Sequence, residues 1–131
     1  MSLVFADKVG LISLWDTTDP LHLQAESCVA ELHDASLCTT NFVLLECGNK
    51  AARRPYRGRV NELRMQLEKS GMLFVPTEAD WQRAWECYAQ GQAGNAGIVD
   101  QISFVVMRRL NITRAFTHDR HFKAAGFETL F

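Results

Sequence analysis

What this chain lacks narrows its class quickly. No apolar stretch approaches the roughly 18 residues that a membrane-crossing helix needs, and no secretory leader is recognisable at the start. The four cysteines, Cys28, Cys38, Cys47 and Cys87, fall in no CxxC or CxxH spacing, which argues against a zinc site or a redox motif. Set mostly among apolar neighbours, they read as small buried residues in a reducing cytoplasm. Neither sign of charge dominates. The formal net charge is −1, so any affinity for nucleic acid has to be argued from local clusters. Internal repeats, low-complexity tracts and interdomain linkers are missing, and no serine or cysteine sits in a partner motif of a covalent nucleophile. What remains is 131 residues, 47% hydrophobic and 22% charged. That is the make-up of one soluble domain, residues 1–131, large enough to bury a core without disulfide or metal staples.

Short apolar runs alternate with helical patterns. Leu3–Ala6, Leu37–Thr39, Met72–Val75, Arg114–Thr117 and Phe127–Leu130 read as strands. Between them the pattern predicts helices over 9–15, from Pro20 to about Asp34, from Phe42 to about Arg54, 59–69, 78–90 and 99–110, with a short one after Asp119. Asp19-Pro20 reads as a cap followed by proline in the first helical position. Leu23 and Val29 fall on the apolar side of that helix, and Ala84, Trp85 and Tyr88 on the buried side of the 78–90 helix. The glycine-rich stretch from Gly91 to Gly97 reads as the most flexible segment. Strands alternating with helices predict an α/β/α sandwich around a mostly parallel sheet, whose ligands bind beyond the carboxyl ends of the strands.

Four acids stand where surface decoration explains them least. Asp7 ends Leu3-Val4-Phe5-Ala6, and Glu46 lies between Phe42-Val43-Leu44-Leu45 and Cys47. Asp100 opens Ile102-Ser103-Phe104-Val105-Val106-Met107, and Asp119 closes Ala115-Phe116-Thr117-His118. An ionised carboxylate removed from water is costly unless it is paired or holds a cation. Together the four point to a hard divalent metal, Mg²⁺ or Mn²⁺. Each alone has an ordinary reading: a strand-end turn for Asp7, a helix cap for Asp100, a surface ion pair for Asp119. Glu46, in an apolar helix, has the weakest such alternative.

The order of the acids and the words around them resemble the PIN-domain ribonucleases, in particular the VapC-like toxins of toxin–antitoxin pairs, over essentially the whole chain. The resemblance implies a PIN-like three-layer fold. It also implies that Asp7, Glu46, Asp100 and Asp119 are both the metal ligands and the catalytic set, and that metal-activated water cleaves RNA to leave a 5′-phosphate and a 3′-hydroxyl. It further implies a cognate antitoxin and a homodimer, while the lack of a long apolar stretch speaks against membrane insertion. Two departures stand out. The family usually places a small polar residue after the first acid, where this chain has Lys8-Val9, and hydroxyls ahead of the third, where it has Gly97 and Val99. Lys8 brings an ammonium towards the acids, in competition with a metal.

A basic run follows Glu46 by one helical turn: Lys50, Arg53, Arg54, Arg57 and Arg59, with Tyr56 among them. Cations release counterions from RNA and an aromatic ring stacks on an unpaired base, so Lys50, Arg53, Arg54, Tyr56 and Arg57 are candidate RNA contacts. Arg120 and His121, beside Asp119, are further ones. The same run equally suits a solvated helix end or an acidic segment of an antitoxin. Trp81 and Trp85 read as core or dimer contacts. Against the nuclease stands a PIN fold with weakened catalysis, acting as an RNA- or protein-binding module, which Lys8 and Val99 favour. A phosphoacceptor receiver domain would need a lysine late in the chain at a strand end. The late lysine here is Lys123, in a predicted helix.

Overall fold

The computed structural model describes residues 2–131; Met1 lies outside them. The chain starts with β1 (Ser2–Ala6), α1 (Lys8–Trp15), α2 (His22–Glu31) and β2 (Ala35–Thr40). It continues through α3 (Asn41–Ala51), α4 (Arg57–Ser70), β3 (Leu73–Phe74), α5 (Glu78–Ala89) and a single turn, α6 (Gln92–Asn95). It ends with α7 (Ile98–Arg109), β4 (Arg114–Phe116), α8 (Arg120–Ala124) and β5 (Glu128–Thr129). All strand pairs are parallel and the sheet order is β3-β2-β1-β4-β5. Helices flank the sheet, giving the expected α/β/α sandwich.

The order explains where a site can form. The chain winds outward from β1 through β2 to β3, then returns through α5, α6 and α7 to lay β4 on the other side of β1. Strand order therefore reverses between β1 and β4, and their carboxyl ends open side by side. The core beneath is dry. Val4, Phe5, Phe104, Phe116 and Phe122 are fully buried, and Phe104 and Phe122 meet edge to face at 4.8 Å. Gly10 sets the spacing of α1 on β4. A Cβ there would lie 2.0 Å from the carbonyl oxygen of Phe116, so only glycine allows this approach.

Several local expectations are corrected. Asp19-Pro20 does not open a helix: Asp19 Oδ1 accepts a hydrogen bond from Leu21 N at 2.8 Å, forming a side-chain turn, and α2 begins two residues past Pro20. The same helix stops at Glu31, and Leu23 is 75% exposed rather than part of the apolar face. In α5 the buried face is Asp80, Ala84 and Cys87, which leaves Trp81, Trp85 and Tyr88 on an adjacent, half-exposed stripe. The 91–97 stretch is tightly folded. Gly91, Ala93, Gly94 and Asn95 all take positive φ, and the buried Gln101 donates to the carbonyls of Gln92 (2.8 Å) and Ala96 (3.3 Å).

Candidate metal centre

Each acid is placed by a separate local device. Asp7 is the N-cap of α1, accepting from Val9 N at 3.4 Å, and its own N–H donates to the Phe116 carbonyl across the β1–β4 seam. Thr40 caps α3, with its hydroxyl accepting from Val43 N at 3.3 Å. That fixes the helix whose second turn carries Glu46. Gly97 caps α7 without a side chain, so Asp100 in its first turn is released from capping, and no hydrogen bond from a described residue reaches its carboxylate. Asp119 caps α8, accepting from His121 N at 2.9 Å.

These four side chains line one cavity of about 190 Å³, together with Lys8, Val9, Gly97, Ile98 and Val99. The carboxylate oxygens of Asp100 and Asp119 lie within 4.8 Å of each other and of a ring nitrogen of His121, which is not part of the cavity lining. Asp7 and Glu46 complete the wall outside that tighter set. His121 Nδ1 stands 2.7 Å from Asp119 Oδ1. The imidazole is thus tied into the acid cluster.

Electrostatics mark the centre as short of positive charge. Burial, relieved in part by Thr117 and the N–H groups of Lys8 and Val9 but aggravated by Asp119, raises the Asp7 carboxyl to about 6. Burial also lifts Asp100, and the charges of Asp7, Asp119 and Glu46 add to it, giving about 7 against a small lowering by His121. Glu46 is raised by burial and eased down by Lys8. Carboxyls that share a site without a counter-ion shift in this direction. An oxygen-rich donor set with one imidazole fits a hard divalent cation, which binds some ligands directly and reaches others through retained water.

Two contributors escaped the sequence reading. Thr117 is fully buried, and its hydroxyl donates to Asp7 Oδ2 (3.0 Å) while accepting from Asp119 N (3.1 Å), so it links two acids. Its signal was its place at the end of β4, two residues before Asp119. His121, read from the sequence as a candidate RNA contact, also lies against Asp119. Outside the cavity, Lys50, Arg53, Arg57 and Arg120 are exposed. Arg54 is drawn to Asp16 at 3.1 Å. Tyr56 is withdrawn as a stacking ring: it is 7% exposed and part of the core, with the Arg54 guanidinium over it.

Comparison with known proteins agrees with this fold. The family model described as PIN domain matches residues 5–128. The 23S rRNA-specific endonuclease VapC20 of Mycobacterium tuberculosis, from strains CDC 1551 / Oshkosh and H37Rv, is 29% identical over 126 residues, covering 95% of both chains. The crystal structure of M. tuberculosis VapC20, described as a sarcin-ricin loop cleaving toxin, superimposes with a TM-score of 0.79 at 29% identity, over 96% of each chain.

Proposed function

Since this chain belongs to the PIN-domain family and is a ribonuclease of the VapC kind, we propose that Asp7, Glu46, Asp100 and Asp119 are its catalytic carboxylates and hold Mg²⁺ or Mn²⁺. One observation carries this reading: four acids from four separate elements wall a single cavity, and two of them are pushed to about 6 and 7 by burial and mutual repulsion. When bound, a divalent cation supplies an activated water and neutralises charge on the scissile phosphate. The protein's own part is orientation. Thr117 fixes the rotamer of Asp7, and the His121 ring holds Asp119 in place by the 2.7 Å contact. Val9, Ile98 and Val99 line the same cavity.

Ribosomal RNA is the first substrate to test, because the relative that matches nearly the whole chain cuts 23S rRNA. Lys50, Arg53, Arg57 and Arg120 are exposed cations that would follow its backbone. A small antitoxin is the proposed inhibitor. The groove of about 750 Å³ between α3, α4 and the β3 edge, lined by Leu44, Leu45, Val60, Val75, Arg57 and Arg64, has the size and mixed character to receive one of its segments. A homodimer is proposed through the half-exposed Trp81, Trp85 and Tyr88 of α5. The cytoplasm is the proposed location; no helix among the described residues is long and apolar enough to cross a membrane.

The test is cleavage of ribosomal RNA by purified protein before and after chelation. EDTA is expected to stop cleavage, added Mn²⁺ to restore it, and Asp100→Asn to stay inactive at any Mn²⁺ level. Undiminished cleavage in excess EDTA would remove the metal from the mechanism.

A further inference from the structure

Next to the metal centre, one turn of the chain is held in a shape that its residues disfavour. Between α5 and α7, Gly91, Ala93, Gly94 and Asn95 lie in the left-handed region, with φ of 63°, 55°, 68° and 61°. Glycine takes that region freely, but Ala93 and Asn95 carry a Cβ that opposes it. Such conformations persist only where the surroundings over-determine them. The support here is Gln101, in the first turns of α7 and 1% exposed. Its Nε2 donates to the carbonyls of Gln92, at 2.8 Å, and Ala96, at 3.3 Å, so it spans the turn. A buried amide is tolerated only while such bonds are made. Side chain and turn hold each other.

The turn also meets His121. α6 packs on α8, and a Cβ on Gly94 would stand 3.8 Å from His121 Cδ2, an ordinary van der Waals distance. On the opposite side of the same ring, Nδ1 stands 2.7 Å from Asp119 Oδ1. The imidazole is therefore bracketed, with the turn on its carbon edge and a metal-site carboxylate on its nitrogen edge. We propose that Gln101 is a positioning residue of this centre: it locks the left-handed turn against His121, and through that ring sets the Asp119 carboxylate for the cation. The inference rests on the metal-dependent reading above.

The experiment compares the full chain with Gln101→Met and Gly94→Val. It uses Mn²⁺ calorimetry, nitrogen NMR of the His121 ring in the metal-free protein, and RNA cleavage. Gln101→Met keeps the side-chain length and loses both donors. Because Asp100 adjoins Gln101 in sequence, Gly94→Val approaches the ring from the turn and leaves α7 unaltered. Both variants are expected to bind Mn²⁺ about tenfold more weakly, the lower end of what partners of metal ligands command. The kcat should fall about as much, with KM for RNA unchanged. The His121 ring signals should shift and broaden before any metal is added. Adding Ala93→Gly and Asn95→Gly to Gln101→Met relieves the left-handed strain and should restore most of the affinity. A lower melting temperature with Mn²⁺ affinity and His121 signals unchanged makes Gln101 structural only, and overturns the inference. Should Gln101→Met fail to fold, Gly94→Val decides alone: weaker binding with shifted His121 signals sustains the inference, and no change overturns it. No Mn²⁺ bound by the unaltered protein overturns the metal-dependent reading and this inference together.

Discussion

Two buried aspartates show how differently the same side chain can be housed. Asp80, 3% exposed, sits at the start of α5 with every oxygen engaged. Arg109 reaches it through three contacts of 2.8–3.1 Å, and Thr77 N donates at 2.9 Å within a reciprocal capping box. Burial pushes its pKa up, but the Arg109 and Thr77 bonds outweigh it and the net shift is downward. Asp7, 2% exposed, has a threonine and backbone N–H groups but no cation, and its pKa moves up to about 6. Where a carboxylate serves only the fold, this sequence supplies an arginine 29 residues away. Asp7 forms no ion pair with any described residue.

The contrast breaks most decisively if Asp7 proves structural after all. Asp7→Asn and Asp100→Asn are expected to lower RNA cleavage on the order of 10³-fold, the scale on which loss of a transition-state charge stabiliser acts. Both should also raise the melting temperature of the metal-free protein, since each removes a charge that folding disfavours. A lower melting temperature would put Asp7 in the same class as Asp80. Thr117→Val sharpens the comparison: a partner that orients a ligand without binding metal commonly matters by about 10- to 100-fold. Cleavage and Mn²⁺ affinity should both fall within that range, read by steady-state kinetics and calorimetry.

Arg109→Ala tests the other side. It strands Asp80 and should cost about 2 kcal/mol of unfolding free energy in urea, less than a fully buried pair because the arginine is 41% exposed. Cleavage per folded molecule should be unchanged. The smallest effect is on pH. Asp7 and Asp100 are raised, so between pH 4 and 7 the metal-free folded state binds more protons than the unfolded chain. Stability from these groups is therefore greatest near pH 4 and declines as pH rises to about 7. A melting-temperature series with and without Mn²⁺ should show that decline, and the ion should reverse it at neutral pH.

Much of the centre was legible because its parts are local. A carboxylate directly after an apolar run falls at a strand's carboxyl edge whatever the rest of the chain does, which placed Asp7 and Asp119. A lone acid in an apolar helix placed Glu46. Other features depended on what lies across the fold. Thr117 looks like any strand residue until Asp7 is set beside it, and His121 looks like a surface histidine until α8 turns it back on Asp119. Tyr56 keeps company with arginines in sequence, yet its ring goes into the core. In α5 two apolar stripes lie one residue apart, and nothing local says that the smaller side chains of Ala84 and Cys87 are the ones that fit against α7. Pro20 was misread because Asp19 satisfies a turn as readily as a helix start.

Gly10 carries a further lesson about how this molecule can deform. With its α-carbon pressed to the Phe116 carbonyl, and Asp7 N bonded to that same oxygen at 3.3 Å, α1 and β4 are riveted together. Asp7 and Thr117 lie on either side of that seam and are hydrogen-bonded to each other at 3.0 Å. Glu46, on α3, and Asp100, on α7, reach the same cavity as Asp7 from elements outside that seam. Even one methyl group at Gly10 would force α1 and β4 apart, and with them the seam that sets Asp7 beside Thr117.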